Sequence, residues 1–250
     1  MKQQNVTTQR DVMKQPDVKS FQIAIDGPVA AGKGTVSRLV ADKLGFLYID
    51  TGATYRMAAL VGLRNKIDLS NEDKLASLVK KSEMSMRNPT KNEQDGRLST
   101  ILLDQEDVSW KIRTEEVSQA SSQVAVHPKI RVALVKKQQK IAQNDNVIME
   151  GRDITYRVLP SADLKIYLTA NQIVRTKRRH FELLTKGVDV KFDDIFEDLV
   201  ERDERDKNRK TDPLKKMPEA WVIDTSDLSI EKVVELIVAK VKRMMKDKKS

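Results

Sequence analysis

The stretch Ile23-Ala-Ile-Asp-Gly27-Pro-Val-Ala-Ala-Gly32-Lys33-Gly34-Thr35 decides how this chain is read. Phe21–Ile25 is a short, β-prone apolar run. Just beyond the motif, Val36, Leu39, Val40 and Leu44 recur at i, i+3, i+4 and i+8, one stripe of a helix. Between strand and helix stands G-x-x-x-x-G-K, the pattern of a phosphate-binding P-loop in the context that pattern requires. Its glycines let successive backbone N–H groups turn toward phosphate oxygens, and the helix adds its positive N-terminus. Lys33 supplies a full charge between the β- and γ-phosphates, and Thr35 a hydroxyl near a metal. One departure is visible: Gly34 stands where many P-loops carry Ser or Thr, and the hydroxyl comes one residue later.

Outward from the motif the pattern repeats. Gly45 ends the helix, Phe46–Ile49 is a second apolar run, and Thr51 is placed to cap a helix carrying Met57, Leu60 and Val61. Asn146–Met149, Leu164–Leu168 and Trp221–Ile223 are further short strands. Ser229 opens a closing amphipathic helix through Ile230, Val233, Val234, Ile237, Val238 and Val241. Short apolar strands alternating with helices predict an α/β fold: a doubly wound core of about five parallel strands with helices on both faces. Two stretches depart from the alternation. Glu83–Asn88 and Leu98–Asp104 read as a small antiparallel β insertion, and Asn171–Lys210 as a charged helical lid.

Composition removes other classes. The 250 residues carry no cysteine and two histidines, His127 and His180, which excludes disulfide scaffolds, thiolate metal sites and cysteine nucleophiles. The net charge of +9 is concentrated at the ends. Residues 1–20 hold four basic and two acidic side chains, and Lys240–Ser250 six and one, leaving residues 21–239 near neutral at +2. A nucleic-acid partner is therefore not expected, and neither is a membrane: no apolar run approaches the roughly 20 residues that span a bilayer. The first twenty residues have no apolar core of a secretory signal, and a cytoplasmic location is expected.

Three further clusters bear on chemistry. Tyr48-Ile-Asp50-Thr51-Gly52-Ala-Thr-Tyr-Arg56 repeats strand end, turn and helix start, offering a second anion site through Thr51 and Arg56 or simply a capped helix with a solvated arginine. Glu150-Gly151-Arg152-Asp153 follows a strand into the crevice where open α/β sheets bind ligands, or forms a surface ion-pair turn. In the first reading Glu150 reaches Mg²⁺ through water and Arg152 a phosphate. In the lid, Arg202, Arg205, Asp206 and Arg209 fall within about 100° of helix face. Those guanidiniums either close over a transferring phosphoryl group or belong to a helix laced with i,i+4 pairs. Attack by an alcohol calls for a positioned base, whereas a nucleotide monophosphate, with a second pKa of about 6, arrives largely dianionic. Positioning and charge neutralisation then suffice.

Together these motifs resemble the bacterial cytidylate kinase family, from about Phe21 to about Met244. The resemblance rests on the P-loop, on D-T-G-A-T-Y-R at Asp50–Arg56, and on Glu106-Asp-Val-Ser109. It continues through Ile112-Arg-Thr-Glu-Glu-Val117, Ser121-Ser-Gln-Val-Ala125, Arg131, Gly151-Arg-Asp153 and the Arg202–Arg209 run. It implies phosphoryl transfer from ATP with Mg²⁺ to CMP or dCMP, by a monomer. Gly27, Pro28, Val29, Ala30, Ala31, Gly32, Lys33, Gly34 and Thr35 would bind ATP. Thr51, Arg56, Ser122, Arg131, Arg152, Asp153, Arg202 and Asp206 would bind CMP, with cytosine read by Ser122, Arg131 and Asp153. The catalytic set would be Lys33, Arg152, Arg202 and Arg209. The implied organisation is an arm at 1–20, a core at 21–65 and 111–244 with its lid at about 171–210, an inserted monophosphate-side subdomain at 66–110, and a basic tail at 245–250. After Gly151-Arg152-Asp153 the family continues with a Gly-Thr pair. Here Ile154-Thr155-Tyr156-Arg157 is bulkier and carries an extra cation, so the local backbone path is open. An AMP or UMP kinase, another small-molecule P-loop kinase, and a nucleic-acid-linked P-loop ATPase are the alternatives.

Overall fold

The computed structural model describes residues 20–93 and 95–248. Chain order begins with β1 (Gln22–Asp26), α1 (Lys33–Leu44), β2 (Leu47–Asp50) and α2 (Thr51–Arg64). The middle of the chain supplies α3 (Glu72–Lys81), β3 (Met84–Arg87), β4 (Thr100–Leu103), β5 (Glu106–Asp107), α4 (Glu115–Val124) and α5 (Pro128–Ile141). It closes with β6 (Val147–Gly151), β7 (Leu164–Thr169), α6 (Gln172–Thr185), α7 (Phe192–Asn208), β8 (Trp221–Asp224) and α8 (Ile230–Asp247). Five strands form a sheet in the order β2-β6-β1-β7-β8, every adjacent pair parallel. The predicted doubly wound core is thus present.

Alternation along the strands divides the core in two. Ile23, Ile25, Tyr48 and Ile148 pack with α1 and α8, while Ala24, Ile49, Val147 and Met149 pack with α2, α4 and α5 on the other face. A strand buried on both sides reads as the continuous apolar run seen in the sequence. Register brings the strand ends level. Ile25 and Asp50 both face Glu150, and Asp26 faces Gly151. One edge of the sheet therefore carries three carboxylates beside the P-loop.

Several local details differ from expectation. Thr51 is the first helical residue and Asp50 the N-cap; the Thr51 hydroxyl instead donates to the Glu150 carbonyl at 2.8 Å. The small sheet β3-β4-β5, by contrast, is antiparallel as expected. Segment 66–110 also holds α3, capped by Asn71, and buries Leu75, Val79, Met86 and Ile101 in the same cluster as Ala24 and Ile49. Asn88 ties the small sheet to the large one, accepting from the Tyr48 amide at 3.3 Å and donating to the Phe46 carbonyl at 2.8 Å. The positions written as a basic tail begin inside α8, which Ser229 caps as predicted. Met244 and Met245 pack on the core, and Lys248 pairs with Asp163. All but Ser20 of the predicted N-terminal arm, together with residues 249–250, lies outside the described residues. No helix among the described residues is long and apolar enough to cross a membrane.

Candidate active site

The P-loop leaves β1 at Gly27, where the chain passes so close to β7 that a Cβ would lie 2.0 Å from the Leu168 carbonyl oxygen. Gly32, with φ of 87°, is the N-cap of α1, whose first turn contains no acidic side chain. The helix N-terminus is therefore left available to an anion. A Cβ on Gly34 would stand 3.3 Å from the Tyr48 hydroxyl and 3.4 Å from Glu150 Oε1. A side chain at this place would crowd those two groups.

Lys33 is 5% exposed, and its ammonium donates to the Pro28 carbonyl at 2.8 Å. Burial, reinforced by Arg152, pulls its pKa down to about 7 against the opposing pull of Glu150, Asp206 and Asp26. Asp26 is fully buried, and it accepts from the Ile154 amide at 2.9 Å, the Thr155 amide at 2.8 Å and the Thr155 hydroxyl at 2.6 Å. Burial raises the Asp26 pKa in spite of these donors. The carboxylate thereby staples the turn after β6 to the P-loop strand. That turn, Ile154–Val158, is a single π-helical stretch, the path taken by the bulky Ile-Thr-Tyr-Arg sequence.

A cleft of about 800 Å³ opens over this edge, ample for a ligand of nucleotide size. Lys33, Gly34 and Thr35 of the P-loop line it. So do Tyr55, Arg113, Ser122, Arg131 and Asp153. Arg131, 1% exposed, donates from one terminal nitrogen to Asp153 Oδ2 at 2.6 Å and from Nε to Asp212 Oδ2 at 3.2 Å, and its guanidinium lies 5.4 Å from the Tyr55 ring centroid. Burial raises the Asp153 pKa while Arg131 and Arg209 oppose it. Arg56 pairs with Asp50 at 2.6 Å.

Further arginines line the same cleft. Arg152 donates to Asp206 Oδ2 at 2.7 Å. Burial works against the Asp206 carboxylate, but the Arg152 charge and hydrogen bond outweigh it and hold the pKa below its ordinary value. Arg202, Arg205 and Arg209 line the same wall. The segment expected to form a lid is a helical hairpin of α6 and α7, and it is tied to the P-loop. Arg175 and Asp203, both buried, pair at 2.6 Å; Arg175 donates to the Val29 carbonyl at 3.1 Å, and Asp203 accepts from the Val29 amide at 3.4 Å.

A family model described as cytidylate kinase matches residues 23–243. A cytidylate kinase of Caldanaerobacter subterraneus subsp. tengcongensis is 44% identical over 227 residues, 91% of this chain and 97% of the relative. This chain belongs to the cytidylate kinase family. A cytidylate kinase of Bacillus subtilis (strain 168) is 41% identical over 225 residues, covering 90% of this chain and 98% of that one. Among solved structures, an uncharacterized protein from Eubacterium ventriosum superimposes with a TM-score of 0.51 at 10% identity, over 89% of this chain and 99% of its own. That likeness concerns the fold alone.

In this member of the family most of the residues singled out in the sequence meet in one cleft. Val29, Ala30, Gly32, Lys33, Gly34 and Thr35 line it, as do Thr51, Arg56, Ser122, Arg131, Glu150, Arg152, Asp153, Arg202, Asp206 and Arg209. Gly27, Pro28 and Ala31 shape the loop from behind. One geometric expectation fails. Arg209 does not share a helix face with Arg202; α7 stops at Asn208, and Arg209 is an extended C-cap whose side chain is held by the Asp212 carbonyl. Sequence reading missed Asp26, Asp212 and the Arg175–Asp203 pair. Asp26 lay inside the quoted motif, but its partners are 128 and 129 residues away. Asp212 sits in no recognisable string.

Proposed function

We propose that the chain catalyses transfer of the γ-phosphoryl group of ATP to CMP or dCMP, giving ADP and CDP or dCDP. A single observation carries the reading. The P-loop and the buried Arg131–Asp153 pair line one and the same cleft, together with Arg152, Arg202 and Arg209, in a chain of the cytidylate kinase family.

The role of each residue follows from its surroundings. Gly27–Thr35 cradles the ATP phosphates, with backbone amides and the α1 N-terminus as donors. Lys33 leaves the Pro28 carbonyl for the phosphates, which restore the charge that burial disfavours. Arg131, Asp153 and Ser122 hold the cytosine; Thr51 and Arg56 receive the acceptor phosphate. An oxygen of that phosphate attacks the γ-phosphorus as the bond to ADP breaks. Arg152, Arg202 and Arg209 neutralise charge on the oxygens in flight, and Asp206 orients Arg152.

Mg²⁺ fits the donor set. The Thr35 hydroxyl and the Glu150 carboxylate both border the cleft at the P-loop, and this ion ordinarily takes one or two protein oxygens plus phosphate and water. Burial, with Asp50 next, raises the Glu150 pKa. A carboxylate so destabilised gains from a cation. A bound ion would withdraw negative charge from the phosphates.

The P-loop and the Arg131–Asp153 pair come from one chain, so a monomer suffices, and we assign it to the cytoplasm. Segment 66–110 is taken as the monophosphate-side subdomain. Near-neutral charge over residues 21–239 disfavours a nucleic-acid-linked ATPase. The test is ADP release coupled to a spectroscopic readout across nucleoside monophosphates. CMP and dCMP are expected to turn over fastest. Rapid phosphorylation of AMP with CMP inert would overturn the assignment.

A further inference from the structure

Asp212 and Pro213, which do not themselves line the cleft, are clasped to the π-helical turn after β6. The Tyr156 hydroxyl donates to the Pro213 carbonyl at 2.6 Å, and Arg157 Nε lies 3.4 Å from Asp212 Oδ1. From the cleft side, Asp212 Oδ2 accepts from Arg131 Nε, and the Asp212 carbonyl accepts from Arg209 Nε at 2.6 Å. One residue is thus held by the extra cation of the Ile154–Arg157 sequence and itself holds two arginines of the site.

The backbone of Asp212 reinforces this. Its φ is 48°, in the left-handed region that disfavours most side chains, and proline follows, which disfavours helical conformations for the residue before it. Such a conformation persists where the surroundings over-determine it, and here they do so on both sides. The charge balance points the same way. Arg131 and Arg209 both reach toward Asp153, so that this one carboxylate faces two guanidiniums; Asp212 supplies a second carboxylate to Arg131. With that anchor, Arg131 need not choose between Asp153 and an incoming base.

We propose that Asp212 is a positioning residue for the acceptor end: its carboxylate fixes Arg131 and its carbonyl fixes Arg209, while Tyr156 and Arg157 lock it in place. The inference rests on the reading that Arg131 and Asp153 hold the pyrimidine monophosphate.

Asp212→Asn tests it. Asparagine tolerates the same left-handed backbone and keeps the carbonyl for Arg209, but removes the charge from Arg131. Steady-state kinetics should show KM for CMP rising about tenfold, with kcat and KM for ATP within about twofold. The preference for CMP over UMP should shrink. Tyr156→Phe, which cuts only the bond to Pro213, should raise KM for CMP about threefold and decides the matter if the first variant does not fold. An unchanged KM for CMP, in a wild-type chain that phosphorylates CMP, would overturn the positioning role alone. Equal rises for both substrates, the mark of a merely structural part, would do the same. A wild-type chain inert toward CMP would overturn both this role and the assigned reaction.

Discussion

Lys33 shows how a single side chain links burial to ligand binding. Its ammonium lies in a site that pulls the pKa down to about 7, chiefly by desolvation. ATP brings negative charge into contact with it and raises that pKa again. As the pH rises past that value the lysine loses its proton more readily before binding than afterwards, so ATP binding at pH 8 should take up protons. At pH 6 it is charged in both states, and this uptake should vanish. Calorimetry at pH 8 in two buffers of different ionisation enthalpy measures the proton count. Lys33→Met should abolish both the uptake and phosphoryl transfer while leaving the fold intact; uptake surviving in that variant would refute the assignment. This residue was legible in the sequence because its motif is local: strand, glycine turn and helix lie within a score of positions. Asp26 and Asp212 were not: Asp26 takes its donors from 128 and 129 positions away, and the Asp212 carboxylate meets Arg131 from α5, 81 positions away.

Two junctions govern the elements. At Gly27 the first strand turns into the P-loop against the backbone of β7, and a methyl group would overlap the Leu168 carbonyl. The wall is main chain and cannot rotate aside. Gly27→Ala should therefore destabilise the protein by about 3 kcal/mol, from overpacking. In a domain of this size that lowers the melting temperature by roughly 6–12 °C. A shift under about 2 °C would show that β7 yields. The second junction joins lid to P-loop through Arg175, Asp203 and Val29. Asp203→Asn keeps an acceptor for the Val29 amide but leaves the Arg175 charge buried without its counter-ion, costing about 3 kcal/mol of local stability. Amide exchange in α6 and α7 should quicken, and KM for ATP should rise more than KM for CMP; an unaltered exchange pattern would show the pair to be dispensable. The strands of the parallel sheet could be read from their apolar runs, and the caps at Ser229 and Gly45 from single residues. The α7 terminus could not. Periodicity alone carries the helix through Arg209, whereas the structure ends it one residue earlier, where the Arg209 side chain turns back to the Asp212 carbonyl.

At the scale of the whole molecule, the question is which parts of a +9 chain the reaction needs. The cytidylate kinase model begins at residue 23 and ends at 243, inside the two apolar clusters that hold the sheet between its helices. The boundary of the working unit is set by contacts just beyond that span. The Phe21 amide donates to Asn146 Oδ1 at 2.7 Å, the Phe21 ring packs on Phe46, and Lys248 reaches Asp163 and lies 5.2 Å from the Phe21 ring. The two ends of the described chain thus close on each other. A chain of residues 20–248 keeps every one of these contacts, and its kcat and both KM values should match the full protein within about twofold. A chain ending at Lys240 removes buried Val241, the packed Met244 and Met245, and the Lys248 pair with Asp163. Its loss, from apolar burial alone, is roughly 3 kcal/mol. Thermal melts and steady-state assays of both truncations separate the cases. If the shorter N-terminus lost tenfold in activity while its melting temperature held, the first nineteen residues would belong to the catalytic unit, and the basic charge they carry would have to act on the nucleotides themselves.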